Sequence, residues 1–402
     1  MPARSGWDGA VVAALVVGCL GMIAVGAYVV GGAVIDAMRT QQTADVVATL
    51  PNQEIVMVAV AQERALADVV DRGCMPKNRD CALAGEARSV LLDGVPELDQ
   101  DGEPVVDGDG NVSYAQQSAV QGTVAALDQR DESFSALDAG MLDPQVVDAI
   151  ELTLGDRAAV DRLHDTVEDS PGQAPEAYDQ YLRDAAGLGE SLVEVTDDEL
   201  RAHLEAQQLL TGLAVVAAQE RPAVSLSLGA FDVGHPGYLE PAAAQVTVVD
   251  EQVAAAEDAL ARSGSDQRVP PIDGDLALVR SAVRSGELGT LTDGQAQGFA
   301  SESATWFNAV RQVQDALRHE TIELSQDQAD GVTNRALLTV AVTGGVLLVG
   351  LIAVIVSSVL VFRRRRTPPP PPLPPPPPAW QVAPAWQVPG APEVPASRPT
   401  PQ

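Results

Sequence analysis

The triplet Gln-Glu-Arg occurs twice, each time inside a run of small apolar residues: VAVAQERALADVV around Arg64 and VVAAQERPAVSLS around Arg221. On a helix, side chains three and four residues apart are neighbours. Arg221 then lies beside Ala217, Ala218, Val224 and Ser225, with no carboxylate, and Arg64 lies beside Val60, Ala61, Ala67 and Asp68. A guanidinium on an apolar face needs a partner, because a buried unpaired charge is very costly. Two chemistries supply one. Facing guanidinium forks on closely packed helices can grip a small planar oxyanion, with Ser225 and Ser227 adding neutral donors. Alternatively each arginine pairs with an acid on a neighbouring helix, for which Glu63 and Glu220 are candidates. Spacing alone favours the ion pairs. Pro222 removes one helical hydrogen bond and predicts a kink beside Arg221.

Other groupings fall short of a site. His319-Glu320-Thr321-Ile322-Glu323 resembles half of a zinc-protease motif, but the second histidine is replaced by Glu323. It also resembles the phosphoacceptor box of a sensor kinase, which would need a cytoplasmic helix. Asp107-Gly108-Asp109-Gly110-Asn111 opens like a calcium loop, but Val112 and Ser118 stand where the turn glycine and the bidentate glutamate belong. His164, His203 and His235 have no clustered partners. There is no nucleophile motif, phosphate loop or dinucleotide fingerprint. An enzyme is disfavoured, and no catalytic residue, metal or cofactor is expected.

Composition narrows the partners. Against 25 Lys and Arg stand 56 Asp and Glu, a formal net charge of −31. Such a field repels nucleic acid and anionic membrane surfaces. Lys77 is the single lysine, and Ala, Val, Gly and Asp abound, a bias associated with GC-rich bacterial genomes. Cys74 and Cys81 bracket the short polar loop CMPKNRDC. In an oxidising compartment such a pair closes as a disulfide, and a metal reading lacks further ligands. Cys19 lies in an apolar run and is expected to be inert.

The elements that must position these residues start with two apolar stretches. Val11–Val34 and Ala336–Phe362 carry no charge. Each exceeds the roughly 20 residues that cross a bilayer as a helix. The first is read as an uncleaved anchor, because it is longer than the apolar core of a signal peptide and lacks a clear cleavage site. Arg363–Arg366 directly after the second stretch hold that end on the cytoplasmic side. The organisation is then a cytoplasmic N-terminus (1–10), a first span (11–34), an extracytoplasmic domain (37–335), a second span (336–362) and a cytoplasmic tail (363–402), in the cell membrane.

Strand signals in 37–335 are weak, with aromatic content of 3% in the chain. Helix signals are frequent. Ile55, Val58, Ala59, Gln62, Leu66 and Val69 follow a 3.6-residue spacing. Asp143-Pro144 reads as an N-cap followed by proline at the first helical position. Thr196-Asp197-Asp198-Glu199 reads as a capping box. The spacing predicts helices at about 37–72, 113–139, 143–168, 174–195, 196–231, 239–263, 274–286 and 292–335. Eight helices of this length suit paired bundles. The fold class is all-α.

An N-terminal anchor followed by a helix ending in QERALADVV resembles the nitrate- and nitrite-sensing (NIT) domain of bacterial receptors. So does the later helix LLTGLAVVAAQERPAVSLSLGAF. The pattern WFNAVRQVQDALRHETIELSQDQA, running into a second span, is similar to the end of that domain in actinobacterial membrane sensor proteins. The resemblance covers nearly the whole outer segment. It implies two stacked four-helix bundles, nitrate or nitrite as ligand, and ligand contact through Arg64 and Arg221, one per QER-type helix. Pro222 departs from the family's usual ERA sequence.

Related sensors often continue into a histidine kinase, whereas here a short proline-rich segment follows Arg366. It holds proline runs flanking Leu373, then AWQVAP and AWQVPG, which present Trp380 and Trp386. Polyproline II is enforced there. The segment is either an extended spacer or a ligand for an aromatic-lined groove on a cytoplasmic partner, with Leu373, Trp380 and Trp386 as its contacts. Two functions follow from the sequence. One is a receptor that senses a small anion such as nitrate or nitrite and signals to a cytoplasmic protein that reads proline motifs. The other is a non-sensing membrane scaffold that recruits proteins through its tail. A homodimer is among the assemblies either one allows.

Overall fold

The structure, a computed structural model, describes residues 5–73, 82–96, 114–169, 174–232 and 238–366. It is all-α. In chain order the helices are α1 (Ser5–Gly73), α2 (Ala82–Leu92), α3 (Ala119–Ser135), α4 (Pro144–Gly155), α5 (Arg157–Asp169), α6 (Ala174–Ala185), α7 (Gly187–Val195), α8 (Asp198–Asp232), α9 (Leu239–Ser263), α10 (Gly274–Ser285) and α11 (Asp293–Arg366). A small antiparallel ribbon of β1 (Val95–Pro96) and β2 (Tyr114–Gln116) joins α2 to α3.

The chain divides into two compact units, residues 1–20 with 348–402 and residues 21–347. α1 and α11 are long and apolar enough to cross a membrane, with mean hydropathies of 2.0 and 2.6 over their most apolar 18 residues. Their apolar ends expose large side chains such as Leu20, Tyr28, Leu338 and Val349, which need a covering phase. Within the larger unit, Gly26 lets these two helices meet closely. A Cβ there would lie 3.0 Å from Thr343 Cγ2 and 3.3 Å from Leu347 Cδ1.

Local chemistry explains several helix ends. Ser118 and Gln121 form a reciprocal capping box at the start of α3. Asp143 caps α4, with Pro144 in its first turn. At α8 the expected cap shifts by one residue. Asp197 Oδ1 accepts from the Leu200 N–H at 3.0 Å, whereas the Thr196 hydroxyl turns back to the Val193 carbonyl. Arg201 then donates to the Val193 and Thr196 carbonyls and closes the end of α7. Two of the expected helices are divided. The 143–168 segment breaks at Gly155-Asp156, and 174–195 breaks at Ala186-Gly187, where glycine weakens the helix. α2 was not foreseen. Helix α8 runs unbroken through Pro222.

The apolar side chains gather in distinct clusters. Helices α8, α9, α10 and α11 share one, centred on Leu213, Val246, Val279, Phe299 and Val310. A second joins α1 to α2, α3, α5 and α6 through Val56, Val60, Leu91, Leu127, Leu163 and Tyr178. A third joins α1, α3, α4, α7 and α8 around Val46, Phe134, Ile150, Leu192 and Leu204. Val58 and Ala61 of α1 meet Ala214 and Val215 of α8, with Phe307 packed against them. α1 is therefore buried on more than one side, and its small residues permit the close approach to α8.

Candidate functional site

The two triplets sit on the helices that meet at this small-residue contact, and each residue of a triplet points somewhere different. On α1, Glu63 is fully buried. Its Oε2 accepts from the Tyr178 hydroxyl at 2.9 Å and lies 3.0 Å from His164 Nε2. Its Oε1 has no hydrogen-bond partner among the described residues. Burial, and then the neighbouring Glu63 carboxylate, raise the Tyr178 hydroxyl well above the usual phenol range. Arg64 closes a two-bond pair with Asp179 of α6, Nε to Oδ1 at 2.5 Å and Nη2 to Oδ2 at 3.1 Å. It borders a cavity of about 90 Å³ together with Gln219 and Gln245.

On α8 the assignments differ. Glu220 is buried and accepts from Arg280 Nη1 in a short contact. Arg280, itself buried, also donates to Asp250 Oδ1 at 2.5 Å and to the Val246 carbonyl at 3.2 Å. Arg284 joins Asp250 from the other side. Burial pushes the Glu220 carboxyl up to about 7, more than the Arg280 guanidinium pulls it back. Arg221 is exposed, and no acid among the described residues pairs with it. It borders a cleft of about 540 Å³ between α1, α2, α8, α10, α11 and the start of α3. Gln62, Ser225, Phe299, Trp306 and Phe307 are also in its wall. The indole of Trp306 is fixed by donation to the Pro270 carbonyl at 2.9 Å.

The structure thus brings Arg221 and Ser225 to one cleft and puts Arg64 on another cavity. The expectation of two guanidinium forks on one small cavity is corrected. Arg64 takes the ion-pair alternative, with Asp179 instead of the anticipated Glu63 or Glu220. Neither glutamate pairs with the arginine beside it. Ser227 is buried away from the cleft wall with its hydroxyl unpartnered. Cys74 and Cys81, and Leu373, Trp380 and Trp386, lie outside the described residues.

Sequence spacing missed two polar devices. Arg280 sits within the apolar stripe Leu276, Val279 and Val283 of α10, and that intrusion is a readable signal. The second is centred on Glu54 of α1. Its Oε1 accepts from Gln207 Nε2 of α8 at 2.7 Å, and its Oε2 accepts from Arg318 Nη2 of α11 at 2.8 Å and Gln314 Nε2 at 3.3 Å. Gln314 also donates to Thr211 of α8 at 2.8 Å. One buried carboxylate thereby ties together α1, α8 and α11. Desolvation lowers the nearby Arg311 below its ordinary range.

No family model and no curated protein matches the chain. Among solved structures it is similar to "Structure of the NasR transcription antiterminator", with a TM-score of 0.47 and 12% identity over 82% of this chain and 83% of that one.

Proposed function

We propose that the chain is a membrane receptor whose outer helical domain, residues 37–335, binds a small anion at Arg221 and passes its occupancy to a cytoplasmic partner. The observation that supports this is a guanidinium with no ion-pair partner among the described residues, on a cleft walled by α1, α8 and α11. α1 and α11 are the two helices that continue into the apolar stretches. An anion drawn to Arg221 changes the packing of both against α8, and the Glu54 network couples the same three helices further along. Arg363–Arg366 hold the second span's end in the cytoplasm, and the proline-rich segment beyond is offered to the partner. The outer domain is an assembly of stacked four-helix bundles, of which the α8–α11 core is the clearest unit.

The resemblance noted in the sequence makes nitrate and nitrite the first ligands to try. With the full chain in lipid nanodiscs, either anion should raise the melting temperature above a chloride control of equal ionic strength. At a hundred times its dissociation constant, a ligand stabilises the fold by about 2.7 kcal/mol. Arg221→Ala should abolish the rise. Loss on Arg64→Ala alone would move the site to the smaller cavity. No response to any anion would favour the scaffold reading.

A further inference from the structure

The cleft at Arg221 is built for more than a bare oxyanion. Its volume, about 540 Å³, falls in the range of roughly 300–1,000 Å³ that encloses organic ligands. A planar ion of four atoms would leave most of that space to be filled by something else. The wall is graded. Arg221 and Gln62 are exposed to solvent, Phe299, Trp306 and Leu276 are buried behind them, and the partly exposed Leu66 and Phe307 add apolar surface. An inorganic anion pushed against those apolar side chains would lose its hydration without gaining donors. A ligand with a charged end and an apolar body meets both requirements.

Among the described residues the positive charge available is a single one. Arg280 also borders the cleft, but its guanidinium is committed to Glu220, Asp250 and the Val246 carbonyl. Arg221 alone is left to pair with the ligand, and its planar fork matches a carboxylate bidentately. Ser225, one turn along α8, offers a hydroxyl beside it.

Resting on the anion-receptor reading, we propose that the ligand is an apolar monocarboxylate. Its carboxylate lies on Arg221, and its hydrocarbon or aromatic body lies against Leu66, Phe307 and the edge of Trp306.

The test is a calorimetric titration of the full chain in nanodiscs with acetate, butyrate, hexanoate and uncharged hexanamide, with empty nanodiscs as the blank. Affinity should rise roughly four-fold for each methylene added between acetate and hexanoate, the factor that follows from burying a CH₂ group. Hexanamide should bind at least ten-fold more weakly than hexanoate. Arg221→Ala should bring hexanoate down to the level of hexanamide, with helical content unchanged because Arg221 is exposed. Arg262→Ala, on the outer face of α9, controls for general loss of positive charge. If nitrate binds in an Arg221-dependent way and hexanoate binds no better than acetate, the receptor reading stands and the apolar ligand is overturned. If no anion of either kind binds, both are overturned. Tight hexanoate binding that survives Arg221→Ala would overturn the assignment to this cleft.

Discussion

The Gln-Glu-Arg on α1 and the Gln-Glu-Arg on α8 share three letters and differ in nearly every contact. Each buries its glutamate, but Glu63 is held by a phenol and an imidazole, while Glu220 is held by a guanidinium. Each exposes more of its arginine, but Arg64 is spent on Asp179 and Arg221 is spent on nothing among the described residues. The difference arises from what packs opposite. α1 faces α5 and α6, which bring His164, Tyr178 and Asp179. α8 faces α9 and α10, which bring Asp250 and Arg280. A repeated triplet therefore does not make a repeated site, because the partner helix decides which member is neutralised and which remains available.

The largest effect expected is at Arg280. Arg280→Met leaves Glu220 buried without its counter-ion, and breaking such a pair costs about 3–5 kcal/mol. Thermal unfolding followed by circular dichroism should show that loss in full at pH 8. At pH 5 the loss should shrink, because Glu220 can take a proton. The same titration acts in the unmutated protein. The Glu220 carboxyl is raised in the fold from its ordinary 4.5 to about 7, so the folded state binds the proton more tightly than the unfolded one. Its contribution is fully present below about 4.5 and is lost as pH rises through about 7. Glu220→Gln should flatten stability across that window. A wild-type and a glutamine variant with parallel pH profiles would contradict the assignment.

On α1 the corresponding change is milder. Tyr178→Phe removes one donor to the buried Glu63 and should destabilise by about 1.5–3 kcal/mol, the range for a hydrogen bond to a charged group. If it costs as much as Arg280→Met, the phenol and the guanidinium are equivalent supports and the contrast between the triplets fails. Arg64→Ala should cost less again, within about 1 kcal/mol, because the Arg64–Asp179 pair is partly open to water.

The helical class, two apolar helices and the cap at Asp143 were legible because they depend on neighbours within one turn, whereas the cap before α8 fell on Asp197 and not on the expected Thr196. The partners of the triplets were not. Asp179 is far along the chain from Arg64, and its position beside α1 follows from the packing of α6 against Val56 and Val60. Arg280 was visible as a charge in an apolar stripe, yet nothing local says which carboxylate it meets. The breaks at Gly155 and Gly187 had a local signal in glycine, but the 3.6-residue pattern continued across them. Helical spacing put Arg221 and Ser225 on one face of α8, while Gln62 entered only as a member of the 3.6-residue pattern of α1. That Gln62 of one triplet shares a cleft with Arg221 of the other is set by how α1 crosses α8.

The smallest effect belongs to Arg221, and it separates the two arginines most sharply. Arg221 is exposed and has no acid to release among the described residues, so Arg221→Ala removes no attraction that the fold uses. Substitutions at such positions fall within roughly ±0.5 kcal/mol. The melting temperature of ligand-free Arg221→Ala should therefore equal that of the wild type within error, while Arg64→Ala sits slightly below both. With a saturating anion the order should invert. Wild type and Arg64→Ala should both gain if Asp179 has taken Arg64 out of the chemistry, and Arg221→Ala should gain nothing. A ligand-free loss of more than a kcal/mol at Arg221 would show that it has a structural partner after all, and the cleft would then lack its one free charge.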